Sequence, residues 1–158
     1  RNDLYATVKA SMVHLYNNTN IPEGIARTDA LLENLWCVVV CCTAVVPLII
    51  IGPPGCSKTL SFSIAQDNLT RRVNQAELYK KLSSLETFRY QCTPQSTDSE
   101  IVSRYETAIC RQSQFNVDQY GAQESMVNLT RCVVFLDEAG LSEEVPLKAI
   151  HHYLDHPK

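Results

Sequence analysis

No two of the seven cysteines in this 158-residue chain form a C-x-x-C pair. That absence removes the usual spacing of a structural zinc site, and the odd number argues against a disulfide framework. No signal peptide opens the sequence, so the N-x-T triplets at Asn17, Asn68 and Asn128 read as chance matches, not as glycosylation acceptors. A basic excess is missing too. The formal net charge of -3 and pI of about 5.8 leave no electrostatic footprint for nucleic acid. Internal repeats, low-complexity tracts and a second complete domain are also absent. The cysteines, among them Cys37, Cys41, Cys42, Cys56, Cys92 and Cys132, are read as buried free thiols that act as small hydrophobes. A reducing, cytoplasmic location is the resulting expectation.

One apolar run approaches the length of a membrane span, "LWCVVVCCTAVVPLIII" from Leu35 to Ile51. Pro47 divides it and Gly52 follows at once, so a buried helix leading into a buried strand is expected, with no transmembrane segment. Arg1 opens the chain without a Met, and "HHYLDHPK" closes it straight after an apparent helix. The chain therefore reads as part of something larger.

Periodicity orders the rest. Leu4, Val8, Met12, Leu15 and Tyr16 recur at helical spacing, and "NNTNIPEG" breaks the pattern. Thr28 or Asp29 is positioned to cap a second helix through Leu31, Leu32, Leu35 and Trp36. Leu48 to Ile51 lacks alternation, as a parallel strand covered on both faces would. A helix is expected from Thr59 to about Leu69, continuing through "NQAELYKKLSSLE" after a break near Thr70 to Asn74. "TFRYQC" alternates as a second strand, and Thr97-Asp-Ser-Glu100 is a capping box before a helix carrying Ile101, Tyr105, Ala108 and Ile109. Arg111 to Thr130, polar and holding Gly121, is expected to be a loop or a mobile insertion. "CVVFLDEAG" is the third strand, and Pro146 to Leu154 the last helix. Strands alternating with helices imply an α/β fold with parallel strands and helices on both faces.

Two segments carry chemistry. In "PLIIIGPPGCSKTLSF", Gly52 and Gly55 permit tight turning and close approach, and Pro53 and Pro54 stiffen the loop. The following helix start supplies N–H groups and a positive dipole end to an anion. Lys58 is expected to reach the β- and γ-phosphates and Thr59 to hold Mg²⁺. Gly52, Pro53, Pro54, Gly55, Cys56, Ser57, Lys58, Thr59 and Leu60 form the expected nucleotide-binding segment. Ser57 stands where the P-loop pattern has glycine, and a negative φ is expected to accommodate it. Cys56, inside an anion-binding loop, is read first as a small filler. "CVVFLDEAG" ends in adjacent carboxylates, Asp137 to hold Mg²⁺ and Glu138 to orient and deprotonate the attacking water. His151, His152 and His156 have no partner at metal-ligand spacing and are read as surface residues.

"GPPGCSKT" with "LDEAG" resembles the Walker A and Walker B motifs of the AAA+ ATPases. "IPEGIARTDALLENLW", "FRYQCTPQST" and "VVFLDEAGLSEEVPLKAIHHYLD" narrow the resemblance to the AAA+ core of the mysterin-type giant E3 ubiquitin ligases, over about Ile21 to Asp155. Serine before the P-loop lysine is also that family's habit. The resemblance implies a three-layer P-loop NTPase fold, with residues 1–27 an N-terminal helix and linker and 28–158 a partial AAA+ core. It implies ATP with Mg²⁺ as cofactors, neighbouring AAA+ modules of the parent as partners, and ubiquitin machinery reached only through that parent. The core ends before the sensor strand and helical lid, and it lacks the arginine finger, so the isolated chain is expected to hydrolyse slowly or not at all. "CTPQST" brings no aromatic to a pore loop, so substrate threading is not expected. Two alternatives stand beside this reading: a nucleotide-independent scaffold, and a remodelling ATPase of another AAA+ branch.

Overall fold

The structure, a computed structural model, describes residues 2–70, 76–120, 129–142 and 147–155. Arg71, Arg72, Asn74, Gly121, Asn128, Pro146 and His156 lie outside them. The chain divides into two compact units, Arg1–Ser84 and Leu85–Lys158.

The first unit is helical: α1 (Asn2–Asn18), α2 (Asp29–Ala44), α3 (Lys58–Leu69) and the short α4 (Glu77–Lys80). α2 packs against both α1 and α3. It begins where expected, because Thr28 is extended and its Oγ1 accepts the Leu31 N–H at 3.2 Å. Leu31, Leu35, Val38 and Val39 then recur at helical spacing and are buried, Leu35 completely. Burying one such leucine stabilises by about 1.5–3 kcal/mol. α3 answers with Phe62, Ile64, Ala65 and Leu69. A polar residue fixes its far end: buried Asn68 donates to the Asn20 carbonyl at 2.9 Å and accepts the Asn20 N–H at 2.7 Å.

α2 stops at Val45, which has φ 57° and ψ 46°, and the Val46 N–H reaches back to the Cys41 carbonyl at 3.0 Å. That reach is a Schellman-type ending, built here on a β-branched residue in place of the usual glycine. Pro47 prevents any continuation. The strand expected at Leu48 to Ile51 does not form: the segment joins no ladder, and Ile49 and Ile51 are 77% and 92% exposed. A strand needs a neighbour for its N–H and C=O groups, and the described residues of this unit before Ser84 hold no strand. The helix expected through "NQAELYKKLSSLE" is confined to α4. Tight bonds from Lys81 N–H to the Leu78 carbonyl and Leu82 N–H to the Tyr79 carbonyl, both at 3.2 Å, close it off.

The second unit is a β–α–β element, β1 (Ser84–Gln91), α5 (Asp98–Tyr120) and β2 (Thr130–Asp137), then a 3₁₀ turn (Ala139–Leu141) and α6 (His151–Asp155). β1 and β2 pair in a two-stranded sheet. The Cys92 N–H donates to the Asp137 carbonyl at 2.9 Å, carboxyl end to carboxyl end, so the strands run parallel. Parallel pairing and a helical crossover agree with the α/β expectation, with two strands among the described residues instead of three.

The capping box is present in both directions. The Glu100 carboxylate accepts the Thr97 N–H at 2.9 Å, and Thr97 Oγ1 accepts the Glu100 N–H at 3.4 Å. Ile101 and Ala108 are buried behind it. α5 then runs on to Tyr120, so Arg111 to Tyr120 is helix where a loop was expected. Its polar side chains bind the strands. Arg111 Nε donates to Glu86 at 3.2 Å with its guanidinium 4.4 Å over the Phe115 ring. Gln112 donates to the Thr130 carbonyl at 3.1 Å and accepts the Cys132 N–H at 2.8 Å. Of the last helix expected, Leu147 and Lys148 are helical, a turn follows at Ala149 and Ile150, and α6 resumes at His151; Tyr153 stacks on Tyr105 of α5 with ring centroids 4.6 Å apart. His151 and His152 are exposed, as read from the sequence.

All seven cysteines are free, but only Cys92 is fully buried. The expectation of general burial is therefore corrected: Cys37, Cys41, Cys42, Cys56 and Cys132 are only partly covered by their neighbours, and Cys110 is exposed. Burial still pushes the Cys42 and Cys132 thiols up to about 11, aided by Cys41 and Glu86 respectively, so both stay protonated at neutral pH.

The hydrogen bonds Glu100 accepts from Thr97 and Tyr90 hold its pKa below the ordinary carboxylate value. A depressed folded-state pKa stabilises above the unfolded value, and that contribution is lost as pH falls through the folded one. Thr97→Ala should cost about 1 kcal/mol in urea unfolding at pH 7. The gap to the parent should narrow in acid as Glu100 protonates, and a gap that stays constant with pH would refute the reciprocal cap.

Candidate functional site

The loop between α2 and α3 is built from contrasting glycines. Gly55 has φ +82°, a conformation L side chains rarely adopt. Gly52 is constrained by space, since a Cβ there would lie 2.8 Å from Cys56 Sγ. Asn34 Nδ2 on α2 donates to the Cys56 carbonyl at 2.8 Å and anchors the loop to the helical core. Ser57 is left-handed, with φ 62° and ψ 22°, against the negative φ expected. Its hydroxyl does not cap α3, which starts instead with the Ser61 N–H on the Ser57 carbonyl at 2.8 Å. The chain turns into α3 through this left-handed residue. A non-glycine residue there carries about 1–2 kcal/mol of strain.

Lys58 opens α3, but its ammonium curls back into the loop. Nζ donates to the Gly52 carbonyl at 2.7 Å and the Pro53 carbonyl at 2.8 Å, with Cys56 Sγ at 3.5 Å. The loop thus wraps around one cation, next to the first-turn N–H groups that the helix itself cannot satisfy. Thr59 and Leu60 follow in the same turn, both partly buried.

Asp137 and Glu138 stand at the carboxyl end of β2, in the second unit. Asp137 is largely buried, and its Oδ2 accepts from Arg89 Nη2 at 2.9 Å. The Arg89 guanidinium lies 5.0 Å over the Phe135 ring. Glu138 is exposed and left-handed, φ 51° and ψ 40°, and accepts from Gln91 Nε2 at 3.0 Å. A non-glycine residue in this region is a frequent mark of a functional position. Arg89 and Gln91 are alternate residues of β1, so one strand face holds both acids. Burial, then the charge of Asp137, raises the Cys92 thiol pKa.

Beyond the acids, "CTPQST" is a turn, with the Ser96 N–H on the Thr93 carbonyl at 3.1 Å and Pro94 at its second position. Buried Ser96 Oγ accepts from the Thr93 N–H and is hydrogen-bonded to the Tyr90 hydroxyl oxygen, both at 2.9 Å.

The structure therefore gathers the nine loop residues around α3's start and the two acids at the end of β2, each set within its own unit. Three partners escaped the sequence reading: Asn34, Arg89 and Gln91. The signal for the last two was present in "TFRYQC", where Arg89 and Gln91 alternate with Phe88, Tyr90 and Cys92. Polar residues on alternate positions beside an acid-tipped parallel strand are candidates to meet those acids. The Asp137 carboxylate is a hard oxygen donor of the kind Mg²⁺ prefers, and it already accommodates a cation in Arg89.

The model of the RNF213 AAA domain matches residues 24–158. The chain belongs to the RNF213 AAA domain family, which agrees with the mysterin-type resemblance, mysterin being RNF213 by its other name. The E3 ubiquitin-protein ligase rnf213-beta of Danio rerio is 33% identical over 144 residues, 89% of this chain and 3% of that protein. The human E3 ubiquitin-protein ligase RNF213 is 33% identical over 134 residues, 83% of the chain and 2% of the protein. A Dictyostelium discoideum protein, named as an uncharacterized transmembrane protein, is 40% identical over 152 residues, 93% of the chain and 2% of its own length. The chain thus spans only 2–3% of the relatives it matches. Among the described residues, no helix is long and apolar enough to cross a membrane.

The left-handed Ser57 sets a test of the loop. Ser57→Val should lose about 1–2 kcal/mol of stability in chemical denaturation, and Ser57→Gly should match or slightly exceed the parent. Equal stability of the valine and glycine variants would show that the loop does not hold Ser57 at positive φ.

Proposed function

We propose that this chain is an ATP-binding module of an RNF213-type E3 ubiquitin ligase, part of a three-layer P-loop fold, with residues 28–158 its nucleotide-binding core and 1–27 an N-terminal helix and linker. The observation that carries the reading is the loop Gly52–Ser57, closed around the Lys58 ammonium at the start of α3. A loop that wraps a cation beside a helix N-terminus has the electrostatics of a polyphosphate cradle. In this reading Lys58 exchanges its carbonyl partners for phosphate oxygens, joined by the amides of Gly55 to Leu60. Thr59 and Asp137 hold Mg²⁺, and Glu138 orients a water and takes its proton. When bound, Mg·ATP supplies the transferable phosphoryl group and the charge neutralisation that its transfer requires.

Within the parent protein the module's task is conformational: nucleotide state biases how neighbouring AAA+ modules pack. The module works in the cytoplasm, and ubiquitin machinery is reached only through the parent. Hydrolysis by the chain alone is weak, because it has no arginine supplied in trans. A nucleotide-independent scaffold is the second reading. It is favoured by the internal partners that Lys58, Asp137 and Glu138 already have.

Calorimetric titration of Mg·ATP into the folded chain separates the two. Binding should be present and lost in Lys58→Ala, whereas a folded chain that takes up no heat would favour the scaffold. Glu138→Gln should bind as the parent does and lose whatever hydrolysis the parent has; undiminished turnover would remove Glu138 from its assigned role.

A further inference from the structure

Asp137 presents a physical problem that the proposed function does not solve. Its side chain is 11% exposed, and a carboxylate so enclosed is costly without a partner. Arg89 is a charged partner, its Nη2 2.9 Å from Oδ2. Arg89 is 44% exposed, yet it is not loosely placed, because its guanidinium also rests over Phe135, two residues before Asp137 on β2. The strand register fixes this meeting, since the Cys92 N–H and the Asp137 carbonyl align the carboxyl ends of β1 and β2. The second acid is treated differently: the neutral amide of Gln91 holds Glu138. Of the two β1 side chains on the acid pair, Arg89 is the one that carries charge.

We propose that Arg89 is a positioning residue acting through Asp137: its guanidinium stands in for the divalent ion on that carboxylate and sets the metal concentration at which the carboxylate is recruited. The inference rests on the proposed nucleotide-binding function. A divalent cation approaching Asp137 meets a fixed positive charge and must draw the carboxylate away from it. Arg89 therefore raises the metal requirement while balancing the charge of the largely buried Asp137 in the metal-free chain. A merely structural ion pair would have no such effect on metal dependence.

The test follows a fluorescent N-methylanthraniloyl ATP analogue on the 158-residue chain, first in EDTA and then at rising Mg²⁺. In Arg89→Met, which keeps an unbranched apolar stem over Phe135, the Mg²⁺ midpoint should fall about fivefold, the effect expected of a pair half open to solvent, with affinity in EDTA unchanged within about twofold. Arg89→Lys should return the midpoint close to that of the parent. Asp137→Asn added to Arg89→Met should abolish the shift. Phe135→Leu, which keeps the charge and removes the ring beneath it, should lower the midpoint by a smaller factor. This variant keeps the test open if Arg89→Met fails to fold. An unchanged or raised midpoint in folded variants would overturn the role of Arg89 alone. A parent chain whose analogue binding ignores Mg²⁺ would overturn both this role and the metal assignment beneath it. The two failures are thus distinguishable.

Discussion

The parallel register of β1 on β2 is the constraint on which the acid end depends. The paired strands set it, and the bond from the Cys92 N–H to the Asp137 carbonyl carries it one residue past the end of β1. Shifting the register by one residue would turn Arg89 and Gln91 to the opposite face and leave a buried carboxylate without its cation. Much of the remaining second unit serves to hold that register. The capping box starts α5 at the right place, Arg111 and Gln112 tie the helix to both strands, and the Thr93–Ser96 turn closes the loop just past β1. Gln112 bonds Thr130 and Cys132, even-numbered positions on the β2 edge opposite the one that carries the Asp137 bond to β1.

The first unit follows a different logic. Its core is an apolar seam between α2 and its neighbours, and its candidate chemistry is backbone geometry stretched between two helices. The described residues hold three non-glycine residues at positive φ: Val45, Ser57 and Glu138. Ser57 stands immediately before the lysine, and Glu138 is itself the candidate base. Strain of this kind persists only where surroundings over-determine the conformation. For Ser57 those surroundings include Asn34 on the Cys56 carbonyl and the Lys58 ammonium inside the loop.

Much of this was legible in the residues, because local chemistry was enough. Thr28, the Thr97–Glu100 box, the α3 periodicity and the acid-tipped strand each declare themselves within a few positions. The misreadings share a different cause. Leu48 to Ile51 has every intrinsic feature of a buried strand, but strand formation is settled by a partner elsewhere in space. Arg111 to Tyr120 looked like a loop because its glutamines, asparagine and arginine are polar, although two of them, Arg111 and Gln112, serve as helix-to-strand tethers. For Ser57, residue identity made the left-handed region improbable, and loop closure overrode that local preference. Arg89 and Gln91 became meaningful only once the neighbouring strand was known.

The ending of α2 has a consequence for how this protein behaves in quantity. From Asn34 to Ser57 the chain carries no charged residue, and the left-handed turn at Val45 directs the second half of that stretch outward, Ile49 and Ile51 nearly bare. An uncharged segment rich in β-branched residues and joined to no sheet is a template on which other chains can add, with Pro47 as a gatekeeper. Colloidal behaviour is thus governed by about six residues that contribute little to the folded core. Elongating aggregates would be expected to nucleate there, and a single charge at Ile49 or Ile51 would act on solubility before it acted on stability.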